Sequence, residues 1–183
     1  MDKGELEQTE SIDRLMAEMI SVSDNDAFNL MVMNCAKDNS HITGRNVIQN
    51  YIDKNGYENT VITSILVPTR YKASSSPGRN STSVADCGLL LEKIYKRKCV
   101  SPEASEEFLE LLLNPTSVNK IPAGLPEGTK CANKTGETDE CQHDAAIVYS
   151  PGRDYILCIM SSDCGASINN IQDISGTVYD YFN

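Results

Sequence analysis

Ile12, Leu15, Met16, Met19 and Ile20 recur at spacings of three and four residues, which predicts a helix with one apolar stripe. Ser23 and Asp24 interrupt it, and either Asp24 or Asn25 can cap a second helix carrying Ala27, Leu30, Met31 and Cys35. Thr43 is the expected N-cap of a third helix over Val47, Ile48, Tyr51 and Ile52, with Gly56 as its stop. Residues 57–80 have weak periodicity and a polar serine run, and read as a long loop. Helical spacing returns over 83–96 (Val84, Cys87, Leu91, Ile94, Tyr95) and over 101–113, where Ser101 caps and Pro102 takes the first helical position. Asn114 and Pro115 end that helix, and the Pro/Gly-rich stretch 121–128 is a linker.

The last third changes period. Residues 130–134, 144–149 and 155–161 read as strands, the last two joined by a turn over 150–154. Tyr155-Ile-Leu-Cys-Ile-Met160 is apolar without alternation, which predicts a central strand buried on both faces. Ile168, Ile171, Ile174, Val178, Tyr181 and Phe182 make a C-terminal helix able to cover one face. The other face and the strand's second edge then need a segment outside the sequence, a partner chain, or helices from the first half. The expected class is α+β in a single partial domain, with a mainly helical lobe over 1–120 and an antiparallel sheet with its helix over 121–183.

A length of 183 residues suits one domain or one compact body of two lobes. The net charge of −10 argues against nucleic acid, because phosphate contacts need a cationic surface. The basic cluster Lys93, Lys96, Arg97 and Lys98 fits the last turn of a helix, where positive charge offsets the macrodipole. No apolar run approaches the roughly 20 residues that span a bilayer. Met1 is followed by Asp, Lys, Gly and Glu, so the sequence as it stands opens without a signal peptide. Seven cysteines, no C-x-x-C pair and only two histidines argue against a structural zinc site, and no cofactor is implied. Cys131 and Cys141 flank the expected first hairpin, and whether they are cross-linked stays open.

Two tripeptides carry candidate chemistry. In Ser23-Asp24-Asn25, at a helix junction, the Ser23 hydroxyl can relay a proton and the Asn25 amide can hold a carbonyl and a lysine at once. Asp24 more plainly ties down the turn. In Lys134-Thr135-Gly136, expected to end a strand, Lys134 offers a fixed charge to a carboxylate and Thr135 a hydroxyl. Gly136 lets a flat ligand lie against the backbone, and the Glu137 N–H can serve as an oxyanion donor. Each tripeptide alone is more often a helix cap or a strand-to-turn transition. The one Ser-x-x-Lys, Ser117 to Lys120, lies between the two and reads as loop.

The surroundings carry a resemblance. Ser23-Asp-Asn-Asp-Ala-Phe-Asn29-Leu reproduces the S-D-N-x-A-x-N-L pattern of class A β-lactamases, and Asn133-Lys-Thr-Gly-Glu137 with Asp144-Ala-Ala-Ile-Val resembles the strands closing their catalytic domain. The chain thus resembles the C-terminal portion of a β-lactamase or penicillin-binding serine hydrolase. The resemblance implies a helical lobe, a mixed lobe and a site between them, formed here by Ser23, Asn25, Lys134, Thr135, Gly136 and Glu137, with an extracytoplasmic location. The substrate it implies is a β-lactam or a peptidoglycan-type peptide. No Ser-x-x-Lys nucleophile motif precedes Ser23. The glutamate that activates the deacylating water falls near Leu66, so an acyl-enzyme would turn over slowly. The alternative is a non-catalytic binding or interaction module on the same fold, and a bare apolar strand edge adds the expectation of self-association.

Overall fold

The computed structural model describes residues 9–66, 79–162 and 168–183. The elements are α1 (Glu10–Ser21), α2 (Asn25–Asn34), α3 (His41–Lys54), α4 (Val84–Tyr95), α5 (Pro102–Leu113), a 3-10 turn (Pro122–Gly124), β1 (Cys131–Glu137), β2 (Gln142–Val148), β3 (Tyr155–Met160) and α6 (Ile168–Phe182). The chain is an α+β fold that divides into two compact units, Met1–Thr82 and Ser83–Asn183.

Side-chain oxygens start the helices. Asp24 caps α2, Ser83 caps α4 and Ser101 caps α5, each accepting an otherwise orphaned N–H. The expected cap of α3 is corrected: Ser40 caps it, and Thr43 supplies the N–H that Ser40 accepts. The apolar stripe begins at Val47, and Ile42 in the first turn is exposed, so the stripe does not mark the start of the helix.

In the first unit α2 packs against α1 and α3, around Leu15, Ala27, Val32 and Ile52. The α2 and α3 backbones approach so closely that a Cβ on Gly44 would lie 1.8 Å from the Val32 carbonyl oxygen. After α3 the chain turns at Gly56, which has φ +83°. The loop that follows is closed at its base by a bridge between Val61 and Ser81, with N···O distances of 2.9 and 3.0 Å. Most of its serine run lies outside the described residues.

In the second unit the antiparallel order is β1-β2-β3. Cys131 faces Val148 and Glu137 faces Gln142 in one pair, while Val148 faces Tyr155 in the other. One face, with Ala146, Val148 and Tyr155, packs on Ile121 and on Ile171 of α6. The other is covered by α4, against β2 and β3, and by α5, against β1. α4 and α5 therefore belong with the sheet in the second unit. Their buried residues Leu91, Ile94, Leu109 and Leu112 need an apolar partner, and the sheet supplies it.

Two further expectations change. β3 packs on α4 and, through Leu157 and Ile159, on the core under α6, but all of it except Tyr155 is only half-buried, and it stands at an edge of the described sheet, not at its centre. β1 runs on through Gly136 to Glu137, because the hairpin turn is at 138–141. Cys131 and Cys141 therefore sit at opposite ends of β1, on the order of 20 Å apart by strand rise, too far for a disulfide. Neither is in a disulfide, nor are Cys35, Cys99 and Cys158, and Cys164 lies outside the described residues.

A Cβ on Gly124 would lie 2.2 Å from the Gln172 carbonyl oxygen of α6. Gly124→Ala must push the 3-10 turn off α6, so urea unfolding should show a loss of about 1–3 kcal/mol.

Candidate functional site

In the first unit, Val22 is the C-cap of α1 and Ser23 takes φ +59°, a left-handed conformation that costs a non-glycine residue about 1–3 kcal/mol. The turn is held on both sides of it. The Asp24 N–H donates back to the Glu18 carbonyl at 3.1 Å, and the Asp24 carboxylate accepts the Ala27 N–H at 2.7 Å. Asp24 thus does the turn-tying expected of it. Ser23 sits at the junction and Asn25 opens α2.

One turn further along α2, Asn29 is fully buried. Its Oδ1 accepts the Leu66 N–H at 2.9 Å and its Nδ2 donates to the Leu66 carbonyl at 3.0 Å. A single amide side chain thereby satisfies both backbone groups of Leu66, as a neighbouring strand would. The last asparagine of the S-D-N-x-A-x-N-L run therefore fixes the residue at which the deacylating glutamate was sought. The sequence pattern contained Asn29 but gave no sign of its partner.

In the second unit, the bonds from Tyr149 N–H to the Lys130 carbonyl and from Thr138 N–H to the Cys141 carbonyl set the phase of the β1–β2 ladder. Ala132, Lys134 and Gly136 then pair with β2, while the N–H and C=O groups of Thr135 and Glu137 point outward from the strand edge. Lys134-Thr135-Gly136 does not end the strand, as expected, but lies within it. That places the Glu137 N–H on an extended, ladder-held backbone.

Charges crowd this strand. Lys134 Nζ donates to the Thr135 carbonyl at 2.9 Å. Burial lowers its pKa from 10.5, Glu137 and Asp144 oppose that, and Lys120 adds to it. Asp144, on β2, is buried, and burial raises its pKa although the Asn133 amide and the Ile121 N–H both bond it, at 3.1 and 2.9 Å. Lys120 is fully buried, its Nζ donating to the Gly136 carbonyl (3.1 Å), the His143 carbonyl (3.1 Å) and Glu137 Oε2 (2.8 Å). The segment around Lys120 is loop, as read from sequence, but its burial was not foreseen. Among the described residues no group of three or more His, Cys, Asp or Glu side chains is gathered as metal ligands.

The sequence profile of the β-lactamase enzyme family matches residues 2–182, and the chain belongs to that family. Among solved structures it is similar to a PBP-A variant with a leucine-to-glutamate substitution, an acyl-enzyme complex with penicillin G. That match has 25% identity and a TM-score of 0.77, over 92% of this chain and 60% of the other. It is also similar to TLA-1 extended-spectrum β-lactamase, at 24% identity and a TM-score of 0.72, over 92% of this chain and 63% of the other. The β-lactamase from Sphaerobacter thermophilus shares the fold at 16% identity, with a TM-score of 0.74 over 93% of this chain and 62% of the other. The chain thus spans about three-fifths of the length of these relatives. No curated protein sequence matches it.

Asn29→Ala strips both partners from the Leu66 backbone, and each orphaned group costs about 1–3 kcal/mol. The Leu66 amide should lose its protection in hydrogen-exchange NMR, well before the helical amides of α2. Lys134 gives a pH signature. Between its lowered folded pKa and 10.5 the unfolded chain holds a proton that the folded chain has released, so stability contributed by this group rises with pH across that window. Urea unfolding at about pH 7 and about pH 10 should show wild type gaining on Lys134→Met as pH rises.

Proposed function

We propose that this chain is the ligand-orienting part of a β-lactamase-like serine hydrolase, acting by acyl transfer on β-lactam or peptidoglycan-type amides. The observation that carries the reading is the outward-facing N–H of Glu137 on the strand that also bears Lys134 and Thr135. Lys134 and Thr135 take the ligand carboxylate, Gly136 leaves room for a flat ring, and the Glu137 N–H receives a carbonyl oxygen as charge develops on it. Ser23 relays a proton to the leaving nitrogen, and Asn25 holds the substrate amide. The nucleophile comes from a Ser-x-x-Lys segment upstream of this sequence, and the intact protein works outside the cytoplasm. Among the described residues no helix is long and apolar enough to cross a membrane.

Leu66 decides the expected turnover. Asn29 presents a leucine where the family places a water-activating glutamate, so acyl-enzyme would persist, as in a penicillin-binding protein. Similarity to a PBP-A variant solved as an acyl-enzyme with penicillin G supports the acyl-transfer part of the reading. The same leucine favours a second reading, a binding module that keeps the carboxylate handle and never turns over. As a partner we add a second copy of this chain, joined through the outer edge of apolar β3.

The chain should bind penicillin G reversibly, and Lys134→Ala should weaken binding at least about tenfold, or about 1.4 kcal/mol, by titration calorimetry. A fluorescent penicillin should leave it unlabelled; covalent labelling would sink the assignment of the nucleophile to another segment. With the upstream segment restored, a persistent acyl-enzyme that Leu66→Glu turns over separates the enzyme from the binding module. A strict monomer in size-exclusion chromatography at high concentration would remove the β3 pairing.

A further inference from the structure

Among the described residues Lys120 is the largest fully buried side chain, and it is a cation. Burying an ammonium costs several kcal/mol unless geometry and partners compensate, and an apolar side chain of similar volume is often at least as stable. Stability alone therefore gives little reason for a lysine here. Its contacts are concentrated at one place. Gly136 and His143 face each other across the ladder, and their two carbonyls both accept from Lys120 Nζ, at 3.1 Å each. The third acceptor, the Glu137 carboxylate at 2.8 Å, belongs to the next residue of β1. All three contacts thus lie at the end of the hairpin that carries Lys134-Thr135-Gly136, on either side of the outward-facing Glu137 N–H.

The cation is also held in place from behind. Asn133 Nδ2 donates to the Ser117 carbonyl at 3.4 Å and the Ile121 N–H donates to Asp144 at 2.9 Å, which fastens residues 117–121 to the sheet. From α6, Gln172 Nε2 donates to the Asn119 carbonyl and Ser175 Oγ to the Ile121 carbonyl, each at 2.8 Å. Residues 117–121 form a strap between α6 and the sheet, and Lys120 is the point at which the strap grips the end of β1.

Resting on the reading of the strand as a ligand site, we propose that Lys120 is a positioning residue for it. Its ammonium clasps the Gly136, Glu137 and His143 end of the hairpin and holds the Glu137 N–H at the angle a ligand carbonyl requires. The charge serves because one ammonium can bond three diverging oxygens at once, which no apolar side chain and no neutral amide does. Glu137 neutralises it from the solvent side.

The test uses the full chain, with Lys120→Met, Lys120→Arg and Glu137→Gln. In Lys120→Met the amides of Gly136 and His143 should exchange at least about tenfold faster, while Ala132 and Ile147, at the far end of the same ladder, stay near wild type. The Kd for penicillin G should rise at least about tenfold, and Lys120→Arg should restore both readouts to within about threefold. Glu137→Gln, which removes only the counter-charge, should accelerate the same two amides about threefold, and it carries the test should Lys120→Met not fold. Unchanged exchange at Gly136 and His143, or an equal rise at both ends of the ladder, would overturn the proposal. So would unchanged penicillin G affinity in folded Lys120→Met. If wild type binds no penicillin G while the exchange responds locally, the ligand-site reading falls and Lys120 stands only as the clasp of the hairpin.

Discussion

The Asp144 carboxylate lies inside the sheet face that α6 covers, and the second unit is arranged around keeping it bonded. One oxygen accepts the Asn133 amide from the neighbouring strand, and the other accepts the Ile121 N–H from the chain entering the 3-10 turn. Ile121 in turn passes its carbonyl to Ser175 of α6. Strand, strap and helix are therefore set by a single buried acid, and Ile121, Ala146 and Ile171 pack in the space this arrangement encloses. A buried polar group left without partners costs more than its bond contributes when made, so this chain of contacts specifies position more than it adds stability.

The first unit solves a similar problem with a neutral side chain. Asn29 has no charge to desolvate, and its amide matches the N–H and C=O of one residue, so it can pin a loop backbone at low cost. Both units thus hold family-pattern residues through buried polar contacts made to backbone.

Much of this was legible in the sequence where the signal is local. Ser83, Ser101 with Pro102, and Asp24 announce helix starts, and they are the observed caps. The two signature runs identified the family. What failed to show was long-range. Ser40 was hidden because the first turn of α3 carries no apolar residue needed for the core. The end of β1 was misjudged because threonine and glycine read as a turn, whereas pairing with Asp144 and His143 keeps them extended. For α4 and α5, periodicity reveals that a face is apolar, not which surface covers it. Lys120 gave no signal at all, since its burial depends on carbonyls 16 and 23 residues away.

Burial also sets how the cysteines react. Burial raises the thiol pKa of Cys35 and Cys99, of Cys131 to about 12 and of Cys158 to about 11. Only the thiolate attacks a disulfide or an oxidant at useful speed, and these sulfurs stay protonated at any physiological pH. In the folded chain these four thiols are therefore slow to react with disulfides or oxidants, and serve as packing groups.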